Sequence, residues 1–65
     1  MTIGEKINEL RKERNLTLAE LAKRSGLTAI TLTNWKRGKT KPQLVALKRV
    51  ADVLKCDFEE LKSYL

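Results

Sequence analysis

Between Thr17 and Pro42 the chain reads TLAELAKRSGLTAITLTNWKRGKTKP, two short helical patterns joined by a Ser-Gly turn and closed by a lysine-rich loop. No other stretch limits the fold as tightly, because both helices must be short and the turn between them tight. At about 100° per residue the second pattern sorts into two faces. Leu32 and Trp35, with Thr28 and Thr31 beside them, lie on one; Ala29, Ile30, Thr33, Asn34 and Arg37 lie on the other. The first face predicts an anchor to a core, with Trp35 inside. The second is small, mixed and uncharged as far as Arg37, which predicts that Ile30 stands in solvent.

The segments on either side predict three further helices. Thr2 and Glu5 form a capping-box pattern that opens a helix from about Ile3 to Arg14, with Ile3, Ile7 and Leu10 on its apolar face. Asn15 can take the left-handed conformation that ends it. Thr17 and Glu20 repeat the pattern for a helix over about Leu18–Arg24, with Leu18, Leu21 and Ala22 inward. Gly26 supplies positive φ for the turn, and the small Ala22 would let the next helix cross closely. Thr28 caps a third helix running to about Lys36, which Gly38 terminates. Pro42 suits the first turn of a fourth helix reaching Leu54 or Lys55, with Leu44, Leu47, Val50, Ala51 and Leu54 facing the core. Val45 and Val53 lie beside that stripe, either as surface valines or as part of a subunit contact. Asp57 and Glu60 predict a last helix, Phe58 to about Tyr64, burying Phe58 and Leu61. The expectation is a compact all-α domain of five helices spanning residues 1–65, without strands, repeats or linker.

Sixty-five residues bury only about 60% of the surface of the unfolded chain, so the core is expected to be thin. With one cysteine and no metal-site pattern, neither an internal disulfide nor zinc can reinforce it. Cys56 reads as a small buried hydrophobe in preference to a reactive thiol, in a reducing cytosolic setting. No apolar run approaches the roughly 20 residues of a membrane span, and the N-terminus lacks a signal-peptide core. A soluble cytoplasmic protein is expected.

The net charge is +6, and its placement is informative. From Leu21 to Ala51 there are eight cations (Lys23, Arg24, Lys36, Arg37, Lys39, Lys41, Lys48, Arg49) and no acid. The remaining six cations face all eight acids, so the whole positive excess lies mid-chain. Such polarity implies a polyanionic partner, most often nucleic acid. Four cations within the six residues Lys36–Lys41 follow a presented helix, an arrangement that suits phosphate contacts beside the DNA major groove. The inventory argues against an enzyme: no histidine, no Gly-rich phosphate loop and no metal-ligand cluster, hence no cofactor and no small-molecule substrate.

The residues in this register resemble the phage-repressor and Cro type of helix-turn-helix protein, the XRE family. The resemblance rests on Leu16, Glu20-Leu21-Ala22, Gly26, Leu27, Thr28, Leu32, Trp35, Arg37-Gly38-Lys39 and Lys41-Pro42, with Ile7-x-x-Leu10-Arg11 before and Leu44-x-x-Leu47-x-x-Val50-Ala51-x-x-Leu54 after. It covers nearly the whole chain. It implies a lambda-repressor-like fold and a transcriptional regulator of double-stranded DNA, of repressor and phage or mobile-element type, acting as a homodimer at least on DNA. By the same resemblance the third helix reads the major groove, with Thr28, Ala29, Ile30, Thr33 and Asn34 facing bases. The Asn34 amide would bond adenine, and Ala29 and Ile30 would pack on thymine methyl groups. Thr17 with the second helix's N-terminus, and Lys36, Arg37, Lys39 and Lys41, would bind phosphates.

Three positions depart from the family pattern. Leu18 and Ala29 stand where the family often carries polar residues that contact DNA. Lys36 stands where it often carries a glutamate paired with the helix-one arginine, here Arg11. Two cations would repel there, so either Lys36 swings towards phosphate or Arg11 finds Glu9 or another acid. Two rival readings keep the fold and change the partner: a protein-interaction module such as an antitoxin or adaptor, and a non-specific nucleic-acid binder.

Overall fold

A computed structural model describes Met1–Leu65. Its five helices are α1 (Ile3–Glu13), α2 (Leu18–Arg24), α3 (Ala29–Lys36), α4 (Leu44–Leu54) and α5 (Phe58–Lys62), with no strands. None is long and apolar enough to cross a membrane. Both early capping boxes form as expected. Thr2 Oγ1 accepts from the Glu5 amide at 3.1 Å while the Glu5 carboxylate accepts from the Thr2 amide at 2.7 Å. At α2 the reciprocal pair is Thr17 and Glu20, at 3.0 and 2.9 Å. Accepting these amides holds both carboxyls below their ordinary pKa.

The helix ends repeat one device. After α1, Leu16 N–H donates to the Arg11 carbonyl and Asn15 N–H to Lys12, with Asn15 at φ 56°. After α2, Leu27 and Gly26 donate to Ala22 and Lys23 in the same way. After α4, Cys56 and Lys55 donate to Ala51 and Asp52, with Lys55 at φ 54°. These Schellman-type closures satisfy carbonyls that a helix end would otherwise leave open.

Eleven apolar residues form one core: Ile3, Ile7, Leu21, Ala22, Leu32, Trp35, Leu47, Val50, Ala51, Leu54 and Leu61. Every helix contributes. Leu10, Leu18, Val53, Cys56 and Phe58 are half-buried at its margin. Cys56 is thus packed against the core, and burial pushes its thiol pKa up, with Arg14 opposing the shift. α1 packs most extensively on α3. At their crossing a Cβ on Gly4 would lie 2.2 Å from the Trp35 carbonyl carbon and the Lys36 nitrogen. The close approach therefore falls at Gly4 of α1, where only a hydrogen fits.

Several sequence expectations need correction. Pro42 is not in the first turn of α4; it precedes the extended N-cap residue Gln43, which makes no side-chain cap bond. Pro42 and Leu47 are both buried and occupy the two positions of a hydrophobic staple. The buried apolar residue at this end is Pro42, and Leu44 stands 49% exposed. Val45 is 65% exposed. α5 stops at Lys62, short of Tyr64, and Asp57 bonds the Glu59 amide at 3.1 Å without the reciprocal Glu60 bond of a capping box.

Two polar residues have roles that periodicity did not reveal. Arg14 donates from Nε to the Leu54 carbonyl and from Nη1 to the Leu10 carbonyl at 3.2 Å, clamping the ends of α1 and α4 together. Ser25 is 1% exposed and its Oγ has no hydrogen-bond partner. A buried hydroxyl without a partner contributes nothing and costs its desolvation. Ser25→Ala is therefore expected to match or exceed the parent in stability, by up to about 1 kcal/mol. Urea unfolding checks this, and a clear loss would mean that the hydroxyl is engaged.

Candidate nucleic-acid interface

The geometry of the candidate site follows from how α3 is held. Trp35 is 4% exposed and Leu32 is buried beside it, fixing the inner face. Thr28 caps the helix: its Oγ1 accepts from the Thr31 amide at 3.2 Å and lies 3.0 Å from the Thr31 hydroxyl. Thr28 itself is exposed, with its oxygen engaged in this way. Ala29 is exposed and Ile30 is 73% exposed, while Thr33 and Asn34 are half-buried. Ala29 and Ile30 thus leave a small apolar surface open to solvent in the first turn of α3.

At the far end α3 closes with the same device as its neighbours. Gly38, at φ 76°, donates to the Trp35 carbonyl at 3.1 Å. The Asn34 carbonyl accepts from the Lys39 amide at 2.9 Å and the Thr40 amide at 3.5 Å. The basic loop is thereby folded back onto the helix that precedes it. Lys36, Arg37, Lys39 and Lys41 are all exposed, and none forms a salt bridge. Of the eight cations in the acid-free stretch only Lys48 is paired, with Asp52 at 3.0 Å. Seven charges of that stretch therefore have no salt-bridge partner.

The N-terminus of α2 is less open to an anion than its sequence suggested. Glu20 already occupies the Thr17 amide, placing a carboxylate at that end. The Leu18 and Ala19 amides have no intramolecular acceptor. The Thr17 oxygen accepts from Glu20, which leaves its hydroxyl proton free to donate.

Arg11 and Lys36 resolve their conflict in a way that the sequence did not indicate. Arg11 finds no acid. Its Nε and Nη2 donate to Asn8 Oδ1 at 3.2 and 2.8 Å, and its Nη1 donates to the Leu16 carbonyl at 2.6 Å. Lys36 remains exposed, near enough to Glu5 to help lower that carboxyl's pKa.

Two short helices joined by a tight turn, the second with an anchored inner face and a free outer one, define a helix-turn-helix protein with the lambda-repressor-like five-helix fold. The family model described as Helix-turn-helix matches residues 7–61, and the chain belongs to this family, the XRE-type helix-turn-helix proteins. It is 41% identical over 61 residues to the HTH-type transcriptional regulator RghRB of Bacillus subtilis, covering 89% of this chain and 42% of the relative. Among solved structures it is similar to the DNA-binding domain of the P22 c2 repressor, with a TM-score of 0.88, 27% identity and coverage of 95% of this chain and 82% of that one. It is also similar to SinR of B. subtilis, a master regulator for biofilm formation solved in complex with DNA. There the TM-score is 0.86, identity 31% and coverage 94% and 98%. The chain spans 38–45% of the length of the curated relatives it matches.

Proposed function

We propose that this chain is the DNA-binding part of a transcriptional repressor, reading double-stranded DNA with α3 in the major groove. One observation carries the proposal: a rigid, uncharged, solvent-facing helix surface is joined through backbone hydrogen bonds to a loop of unpaired cations. Base contacts come from Thr28, Ala29, Ile30 and Asn34, with Thr33 at the edge of that face. Phosphate contacts come from Thr17, Lys36, Arg37, Lys39 and Lys41, which set register and salt-dependent affinity. SinR, at 31% identity, was solved on DNA, and the P22 protein is a repressor; both support the reading. No cofactor or small-molecule substrate enters it.

Two copies are needed on a symmetric operator. Half-sites one helical turn apart are separated by roughly 34 Å, centre to centre. One copy measures only 23 × 23 × 20 Å between principal extents. A homodimer on DNA follows.

Selection from randomised duplexes at near-physiological salt is expected to enrich an inverted repeat with half-sites about one turn apart. Arg37→Ala and Lys39→Ala should weaken all sequences alike and each lower the salt slope by about one. Asn34→Ala should relax preference at a single base pair, by about 1–3 kcal/mol. Uniform loss across sequences for Asn34→Ala would remove its base-reading role. Failure to retain any duplex would turn the reading towards a protein partner for the Ile30 surface.

A further inference from the structure

Where α1, α2 and α3 meet, a cleft of about 180 Å³ opens to solvent, lined by Asn8, Arg11, Leu18, Thr33 and Lys36 above an apolar floor. Its charge is the unusual feature. Arg11 is half-buried, and its three bonds go to a neutral amide oxygen and a backbone carbonyl. These fix the guanidinium in place without neutralising it. A guanidinium carries five N–H donors, so two remain unused. Lys36 lines the same cleft and has no salt-bridge partner. The acid it influences, Glu5, is committed to the Thr2 amide at 2.7 Å.

A partly buried cation held rigidly without a counter-charge, in a cleft that a second cation and a threonine also line, suits an anion. The planar fork of Arg11 suits the paired oxygens of a phosphate, and Lys36 suits a point charge at the rim. We infer that the Arg11–Thr33–Lys36 cleft binds one tetrahedral phosphate oxyanion, and that a backbone phosphodiester of bound duplex DNA supplies it. The identity of the source rests on the DNA-binding reading above; the oxyanion site itself does not. Arg11 then becomes a DNA contact on α1, outside the helix-turn-helix, and Thr33 donates to phosphate at the edge of the base-reading face. The cleft's two cations take an external anion where a carboxylate at position 36 would supply an internal one.

The test follows from that exchange. The 15N-labelled chain is titrated with inorganic phosphate, and separately with sodium chloride at matched ionic strength. The expected result is a saturable shift of the Arg11 Nε–H and Thr33 amide signals with phosphate and none with chloride. A selected duplex should shift the same signals. Lys36→Glu should raise the melting temperature by pairing with Arg11, abolish the phosphate response and lower the DNA salt slope by about two, because both cations leave the phosphate. Lys36→Gln removes the Lys36 charge alone and leaves Arg11 free, so it should keep a weakened phosphate response at Arg11 and lower the slope by about one. Because Lys36 is exposed, both variants are expected to fold.

Response to phosphate and duplex supports the whole inference. Response to the duplex alone supports the phosphodiester as the occupant. Response to free phosphate alone keeps the oxyanion site and overturns DNA as its source. If neither phosphate nor duplex moves Arg11, or Lys36→Glu and Lys36→Gln give equal salt slopes, the cleft assignment is overturned even where DNA still binds.

Discussion

Gly4→Ala is expected to destabilise the protein by about 3 kcal/mol, the upper part of the range for overpacking a filled site. The added methyl would sit 2.2 Å from main-chain atoms of Trp35 and Lys36. A side chain could rotate aside, but a helix backbone can yield only by moving α3 as a body. Helix propensity acts in the opposite direction, since alanine is favoured over glycine by about 1 kcal/mol in a helix interior. The steric term should win, because the clash is with backbone and is more than 1 Å inside ordinary contact. Against a total stability of roughly 3–10 kcal/mol for a chain this size, the loss is a large fraction. Urea unfolding followed by circular dichroism measures it; a midpoint equal to or above that of the parent would show that α3 can shift without cost.

Trp35→Ala should have an effect at least as large, about 3–5 kcal/mol. Trp35 is almost completely buried and belongs to the core that fixes the inner face of α3. At roughly 4–8 °C per kcal/mol, a small domain loses well over 10 °C in melting temperature, so the variant should be largely unfolded when warm. Trp35→Phe, which keeps part of the ring volume, should lose less. A melting temperature for Trp35→Ala within about 5 °C of the parent would remove the indole from its anchoring role.

Much of this architecture was legible in the residues because local chemistry and tertiary packing agree. Thr2 with Glu5 and Thr17 with Glu20 announced two helix starts, and both boxes form. Asn15, Gly26 and Gly38 announced three ends, and all three take positive φ. The exposure of Ile30 and burial of Trp35 followed from one helical wheel. What stayed hidden depends on contacts between distant segments. Gly4 gave a faint signal, a glycine inside a helical pattern, but nothing local says which backbone approaches it. The Arg14 clamp on Leu54 joins residues 40 positions apart and has no periodic signature. Periodicity pointed Leu44 inward, but the residue covered at that end is Pro42, because the helix begins only after the extended Gln43 and its first turn stands clear of the core.

The candidate interface divides along the same line. The helical period placed Ala29 and Ile30 outward, and both are exposed; Thr33 and Asn34, put on the same face, are half-buried, and Thr28, put on the inner face, is exposed. The accommodation of Arg11 by Asn8 and the Leu16 carbonyl was not readable, because the sequence offered either a displaced Lys36 or an acid for Arg11, and neither alternative named an amide or a carbonyl. The Glu20 carboxylate at the start of α2 belongs to the same class: the capping box was foreseen, and its competition with an anion at that helix end emerges only from the geometry.

The tether between α3 and the basic loop runs through the carbonyl of Asn34, an atom that every amino acid supplies. The side chain at position 34 can therefore be exchanged without releasing Lys39, and Ala29 and Ile30, which bear no core load, are equally replaceable. A repertoire of recognition surfaces can be built on one unchanged chassis, each new surface inheriting the same alignment of its cations. Natural drift or laboratory selection at Ala29 and Ile30 would then alter the proposed recognition surface with little effect on how firmly the protein folds.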